Sequence, residues 1–284
     1  MRTQNASAVT PSQHTYGYQK SVPVRVHLQT ADCLTGTATV ANAGSAAASL
    51  RICNDTAADG WYRMEIKTSS VASDSDQMYT AGYLEGYLTQ SLIADAMSNL
   101  TPSAVTDRTS GAGGPSSVRE WFKQYDQHLA ASVATGQAQS DPYWIHVGLV
   151  RQQMIGLWHG YNAQCLAQPG ACPGGKLDWL DIVEFTPDAM DVGQAVTPAA
   201  QRTDWLSLTP ARAAALAAAD THCSALVVGS NDSDVLMGHT TWGMYSMMLR
   251  VAKSITTELS AANTSSQRIV YSSYPGYLYS GDDW

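Results

Sequence analysis

The stretch from Cys223 to Trp242, CSALVVGSNDSDVLMGHTTW, constrains the fold more than any other part of the chain because it predicts a β-hairpin. Two short apolar runs, 225–228 and 235–238, flank a segment rich in Gly, Ser, Asn and Asp, the residues that favour turns. The first strand then begins at Cys223, and the second ends near His239. Since the open ends of an antiparallel pair are neighbours, we expect these two side chains to lie close together.

Three other segments match the pattern of one known family, in the same order along the chain. They are Tyr79–Gly86, with the spacing Tyr-x-x-Gly-x-x-Glu; Asp141–Trp144, with Pro-Tyr-Trp at a helix start; and Ser272–Gly276, with Ser-Ser-Tyr-Pro-Gly. Together with the Cys-Ser-Ala-Leu start and the His-Thr-Thr-Trp end of the hairpin, they resemble the phospholipase B-like family of lysosomal and secreted N-terminal-nucleophile hydrolases. The family has Asn where this chain has Thr240.

The resemblance implies an α+β fold, the αββα sandwich of N-terminal-nucleophile hydrolases. It also implies that a precursor cleaves itself between His222 and Cys223. Residues 1–222 then form an amino-terminal part, with a β meander followed by helices, and residues 223–284 form the start of the catalytic part, with a hairpin, a helix and a strand. We expect the two parts to stay associated. Because the family continues beyond the Ser-Ser-Tyr-Pro-Gly strand, we expect the sandwich to be incomplete at the carboxyl end, as in a fragment or a divergent short form.

The chemistry that the resemblance implies is acyl transfer to Cys223. A thiol is a stronger nucleophile than a hydroxyl, and the α-amino group freed by cleavage, with a pKa near ~8, can serve as its base. His239 is a second candidate catalytic residue, which orients the nucleophile or stabilises charge. The supporting or pocket positions are Ser224, Thr240, Thr241 and Trp242.

Three functions remain open at this stage. The first is an autoprocessed hydrolase of phospholipid fatty-acyl esters that works through a Cys thioester. The second is an amidase that acts on N-acyl amides or small peptides by the same mechanism. The third is a non-catalytic lumenal glycoprotein in which Cys223 is buried and inert, His239 is a hydrogen-bonded residue at a strand end, and Trp242 is a core aromatic.

Composition and spacing exclude several other classes. The formal net charge of -8 argues against nucleic-acid binding, since a phosphate backbone requires a basic surface. No stretch approaches the ~18 apolar residues that a membrane span requires. His128, His146 and His159 lack the i, i+4 spacing of a helical metal site, so we expect neither a metal nor another cofactor. The partner that remains is a lipid or acyl-amide substrate.

The cysteines and sequons indicate a lumenal protein. Cys165 and Cys172 bracket a turn-forming segment and predict a local disulfide, while Cys33 and Cys53 are a second candidate pair. Cys223 is then the odd cysteine. The candidate glycosylation sites are Asn5, Asn54, Asn99, Asn231 and Asn263. The resemblance implies the lysosomal lumen or secretion. The first residues lack the apolar core of a signal peptide, so we expect the signal to be absent from this chain.

Periodicity predicts the remaining elements. The predicted strands are 22–28, 34–40, 61–67, 180–185 and 268–274, of which the first three form a meander. The predicted helices are 74–99, 118–134, 142–161, 210–219 and 243–259.

Overall fold

The computed structural model describes a mixed α+β protein. The described residues are 24–28, 33–39, 45–100, 115–135, 140–172, 174–186, 188–220, 224–229, 234–240, 245–261 and 263–280. Their strands are β1 (Val24–Leu28), β2 (Cys33–Ala38), β3 (Ala48–Asn54), β4 (Trp61–Thr68), β5 (Ser224–Gly229), β6 (Val235–Thr240), β7 (Arg250–Thr256) and β8 (Arg268–Ser273). Their helices are α1 (Thr56–Asp59), α2 (Asp74–Leu88), α3 (Gln90–Leu100), α4 (Pro115–Val133), α5 (Pro142–Ala167), α6 (Trp179–Val183), α7 (Asp188–Val196) and α8 (Pro210–Asp220).

The strands form two sheets. A six-stranded sheet has the order β1-β2-β3-β4-β7-β8, and β5 pairs with β6 in a separate two-stranded sheet. The first four strands form the predicted antiparallel meander. Strand β3 was not among the predicted strands, although Ala48, Leu50 and Ile52 alternate inward as the core side of a strand should. The four-layer sandwich, which needs a second large sheet, stays a prediction.

Helices α2 and α5 pack side by side over one face of the large sheet. The core contains Leu50 and Ile66 of the sheet, Leu84 of α2 and Leu157 of α5, each no more than 2% exposed. Ser73 caps α2 by accepting a hydrogen bond from the Asp76 N–H. The predicted helix 74–99 is two helices, since the first ends at Thr89, whose hydroxyl donates to the Glu85 carbonyl 2.6 Å away.

Glycines let these two helices approach until their backbones touch. A Cβ added at Gly82 would lie 1.9 Å from the Gln153 carbonyl oxygen, and one at Gly156 would lie 2.0 Å from the Tyr79 carbonyl oxygen. Gly86 and Gly160 repeat the contact one turn later. Only residues without a Cβ therefore fit along this helix crossing.

The prediction of a strand over 180–185 is wrong, because these residues belong mostly to α6. Asp178 caps the helix, and the Asp181 side chain accepts a hydrogen bond from the Asp178 N–H, which completes a capping box. Trp179 and Ile182, three residues apart, are both buried. The local caps and this spacing favour a helical turn, although the apolar residues of this segment indicated a strand.

The prediction of a helix over 243–259, and therefore of a hairpin–helix–strand order after residue 223, is also wrong. A single 3-10 turn, Tyr245–Met247, is followed by strand β7. In β7, Val251, Lys253 and Ile255 point inward with a period of two, and the whole strand pairs in parallel with β4. The edge of β4 supplies a hydrogen-bonding partner that is distant in sequence, so the helical periodicity that predicted a helix over 243–259 did not decide the structure.

Candidate active site

The predicted hairpin is confirmed in the described residues. Strands β5 and β6 are antiparallel, with Ser224 opposite Thr240 and Ala225 opposite His239. The Thr240 hydroxyl donates to the Ser224 carbonyl oxygen at 3.3 Å. At the open end of the hairpin, Ser224, which follows Cys223 in the chain, thus lies beside the polar end of β6.

The other predicted site residues lie outside the described residues. These are His222, Cys223, Thr241 and Trp242. The register places His239 opposite Ala225, two positions after Cys223 in the chain. That Cys223 and His239 lie close to one another therefore stays a prediction.

Apolar side chains are exposed on both faces of the hairpin. Val227 and Met237, which are directly paired, are 61% and 75% exposed on one face. Val228 and Leu236 are 46% and 66% exposed on the other. The polar residues of the candidate site thus lie at the end of a strand pair whose apolar surface is open to solvent.

The large sheet combines strands from both sides of the predicted cleavage point. Strands β7 and β8 lie after residue 223, yet β7 pairs in parallel with β4 from Trp61–Arg250 to Lys67–Thr256. β8 then pairs antiparallel with β7 and forms one edge of the sheet. The two parts of the chain therefore share one backbone hydrogen-bonded sheet.

A buried ion pair joins the same two parts. The Lys253 ammonium on β7 lies 2.7 Å from a carboxylate oxygen of Glu85 on α2. The side chains are 0% and 1% exposed, and the ammonium also donates to the Tyr277 carbonyl. Burial and the nearby Glu85 charge raise the pKa of Tyr271, so its hydroxyl stays protonated at physiological pH. Sequence reasoning missed this pair, although Lys253 stands between two inward apolar residues of β7.

Polar contacts hold the loop after β7 against the start of α2. The Gln77 amide donates to the Glu258 carbonyl at 3.0 Å and accepts from the Glu258 N–H at 3.2 Å. The Glu258 carboxylate accepts from the N–H and hydroxyl of Ser70, which lowers its pKa. The Asp74 carboxylate accepts from the Ser260 N–H at 2.9 Å. These contacts give the second part of the chain a continuous polar attachment to the first.

A second polar pair, partly buried, lies where α2 crosses α5. The Tyr79 hydroxyl and His159 Nδ1 are 2.8 Å apart. Burial lowers the pKa of His159 to about 4, so its imidazole is neutral at physiological pH. Burial also raises the pKa of Tyr79. The pair is a structural link between the helices, and its residues are distant in sequence from the hairpin.

The structure contains both candidate disulfides, Cys165–Cys172 and Cys33–Cys53. Three predicted glycosylation sites, Asn54, Asn99 and Asn263, have exposed side chains, whereas Asn5 and Asn231 lie outside the described residues. Among the residues that the structure describes, no group of three or more His, Cys, Asp or Glu side chains is arranged to hold a metal ion. In the same residues no helix is long and apolar enough to cross a membrane.

Comparisons with known proteins show the family to which the chain belongs. The family model for phospholipase B matches residues 48–284, and the chain belongs to this family. It is 32% identical to phospholipase B-like protein B of Dictyostelium discoideum over 228 residues, 79% of this chain and 38% of that protein. It is 30% identical to phospholipase B-like 1 of Bos taurus and 29% identical to that of Homo sapiens, in each case over 81% of this chain and 40% of the relative. The chain thus spans about two fifths of the length of these relatives.

Proposed function

We propose that this chain is an autoprocessed N-terminal-nucleophile hydrolase of acyl bonds, with Cys223 as its nucleophile. The observation that carries the proposal is the register of the hairpin. It pairs Ser224, which follows Cys223 in the chain, with Thr240 at the open end of the hairpin. Family membership supports the acyl-hydrolase class, because the names of the matched relatives refer to phospholipase B.

Self-cleavage would begin with attack of the Cys223 sulfur on the His222 carbonyl carbon. The C–N bond breaks, its nitrogen takes up a proton, and the acyl group is held as a thioester. Water then hydrolyses the thioester, which leaves a carboxylate on His222 and a free α-amino group on Cys223. Because an α-amino group titrates near ~8, a modest shift leaves it neutral and able to accept the thiol proton.

Turnover would repeat the same steps on an external substrate. The thiolate attacks the carbonyl carbon of an ester, the alcohol leaves with a proton, and water releases the fatty acid from the thioester. His239 and the Thr241 hydroxyl are the groups proposed to donate to the oxyanion. The Thr240 hydroxyl, which donates to the Ser224 carbonyl, would support the open end of the hairpin, with Ser224 and Trp242 at the margin of the pocket. A thiol that forms thioesters from esters also forms them from amides, so an amidase for N-acyl amides or small peptides is the second candidate.

The two parts would remain together after the cut. The β4–β7 ladder, the buried Glu85–Lys253 ion pair and the Gln77–Glu258 hydrogen bonds all join residues on opposite sides of residue 223. Both disulfides lie before residue 223, so the attachment does not depend on either of them. The cleaved product is therefore proposed to be a non-covalent complex of residues 1–222 and 223–284.

The two disulfides also support an oxidising compartment, either the lysosomal lumen or the exterior of the cell. Disulfides persist there, whereas cytosolic thiols are kept reduced. Glycosylation at the exposed Asn54, Asn99 and Asn263 is part of the same proposal, as it is for Asn5 and Asn231.

The experiment that tests the proposal is intact mass and amino-terminal sequencing of the purified protein beside its Cys223→Ala and Cys223→Ser variants. We expect a new terminus beginning Cys-Ser-Ala-Leu in the wild type and a single uncleaved chain in the Cys223→Ala variant. Because a hydroxyl is the weaker nucleophile, the Cys223→Ser variant should be cleaved more slowly than the wild type.

Activity on a diacyl phospholipid and on an N-acyl amide then separates the two substrate classes. Release of fatty acid from the ester alone supports the first candidate, and release from the amide alone supports the second. An uncleaved wild-type chain that releases neither product would contradict the mechanism and favour the non-catalytic glycoprotein.

A further inference from the structure

The face of the large sheet opposite α2 and α5 carries an open cavity of about 210 Å³. Its polar lining consists of Thr35, Thr37, Ser49, Arg51, Glu65 and Lys67. The strand register places these residues in two neighbouring rows, Thr35–Arg51–Glu65 and Thr37–Ser49–Lys67. Directly opposed residues on antiparallel strands share a face, so all six side chains project on the same side of β2, β3 and β4.

Arg51 supplies a positive charge that the lining does not neutralise. Its Nη2 lies 3.4 Å from Cys33 Sγ, which anchors one side of the guanidinium, and it forms no ion pair with a carboxylate of the described residues. Lys67, by contrast, is 2.9 Å from Glu65. Arg63, on the same face of β4, pairs with both Asp55 and Asp59. The cavity therefore has one net positive charge within a chain whose formal net charge is -8.

The hydroxyl groups of the lining extend this charge into a set of donors. Thr35 and Thr37 lie on β2, and Ser49 lies on β3, the strand that also carries Arg51. Neighbouring strands in a sheet are about 4.8 Å apart. A guanidinium presents several N–H groups in a planar fork that matches the oxygens of a phosphate. One fork flanked by hydroxyls is a donor set suited to a small tetrahedral anion.

We propose that this cavity binds a phosphate group, carried either by a phospholipid headgroup or by a small soluble phosphate ester. Arg51 provides the charge-assisted hydrogen bonds, and the hydroxyls of Thr37 and Ser49 complete the contacts. The site uses no residue of the hairpin, so it stands or falls independently of cleavage at Cys223. Since the cavity is open, salt screens the interaction and affinity falls as ionic strength rises.

The test is calorimetric titration of the full chain with inorganic phosphate and with glycerol 3-phosphate, beside Arg51→Gln and Arg63→Gln variants. Loss of charge-assisted hydrogen bonds predicts that Arg51→Gln weakens phosphate binding by about tenfold or more. Arg63→Gln is the matched control, because Arg63 lies on the same sheet face but is already neutralised by two carboxylates. It should change the affinity by less than about twofold, as expected for an exposed ion pair.

Co-sedimentation with phosphatidylcholine vesicles separates the two sources of the phosphate. Vesicle binding that is lost in Arg51→Gln and competed by inorganic phosphate assigns the site to a headgroup, whereas binding of glycerol 3-phosphate without vesicle binding assigns it to a soluble ester. The proposal is overturned if the wild type shows no saturable phosphate binding, or if Arg63→Gln weakens it as much as Arg51→Gln. Should Arg51→Gln unfold, Ser49→Ala tests the same site, since removing this donor should also weaken phosphate binding in a folded chain.

Discussion

Replacement of Gly156 by alanine tests whether backbone contact between α2 and α5 determines the stability of the fold. An added Cβ would lie 2.0 Å from the Tyr79 carbonyl oxygen and 2.9 Å from the Tyr83 N–H nitrogen. Both are backbone atoms of α2, so neither can turn aside as a flexible side chain would. Relief requires the two helices to separate by about 1 Å or more along their crossing.

The expected loss of folding stability in Gly156→Ala is the difference between two opposing effects. Alanine in a helix interior is favoured over glycine by up to about 1 kcal/mol. Overpacking a core typically costs about 1–3 kcal/mol and sometimes more, and the shift here also disturbs Tyr79 and Leu157, which are 2% and 1% exposed. Because the clash is with backbone atoms, the overpacking cost lies near the upper end of that range, and a net destabilisation of roughly 2 kcal/mol follows, which corresponds to a decrease in Tm of roughly 4–8 °C for a chain of this size.

Thermal and urea unfolding of the Gly156→Ala and Gly148→Ala variants measures this loss with a control in the same helix. A Cβ at Gly148 meets only the Val133 Cγ1 methyl at 3.0 Å, and a methyl group on a side chain can adjust. We expect Gly148→Ala to unfold within about 1 kcal/mol of the wild type, because the gain in helix propensity offsets a minor contact. Equal midpoints for the two variants would refute the argument that the glycines are required by backbone contact.

Two further predictions concern buried polar groups. Glu85→Gln leaves the Lys253 ammonium buried without a carboxylate and should lower the free energy of unfolding by about 3–5 kcal/mol, measured by urea denaturation. The control variant Glu65→Gln, in an exposed ion pair, should lower it by less than about 1 kcal/mol. Similar losses in the two variants would contradict the argument. His159 has a pKa lowered to about 4 by burial, so the folded state binds fewer protons than the unfolded state between pH ~6.5 and ~4. Stability is therefore complete above pH ~6.5 and falls by about 3 kcal/mol as the pH drops to ~4, and His159→Gln should remove this slope in unfolding titrations. A wild-type slope that persists unchanged in His159→Gln would show that other groups cause it.

Local sequence signals correctly predicted the elements that are stabilised by residues close to them in sequence. The turn-rich segment between two apolar runs predicted the hairpin, and the Asp141–Pro142 start predicted where α5 begins. The turn between Cys165 and Cys172 predicted their disulfide. In each case the interactions that stabilise the element lie within a few residues of its sequence signal.

Elements that depend on distant partners were predicted poorly. Residues 250–256 belong to a segment whose periodicity predicted a helix, but they form a strand that pairs with the edge of β4. Likewise, nothing near Glu85 in sequence indicates that Lys253 will neutralise it. For the candidate site, the sequence predicted the hairpin but not its register, in which Ser224 faces Thr240, and the position of Cys223 remains a prediction.

The parallel pairing of β4 with β7 also has a consequence for how the protein is made. Trp61 and Arg250 are 189 positions apart, so the ribosome must synthesise that many further residues after Trp61 before the sheet can close. At ~5–20 residues per second, β4 waits roughly 10–40 s with an open edge. Pairing over so long a separation folds slowly, and an open strand edge attracts other chains. We therefore expect the nascent chain to need chaperone protection during this interval.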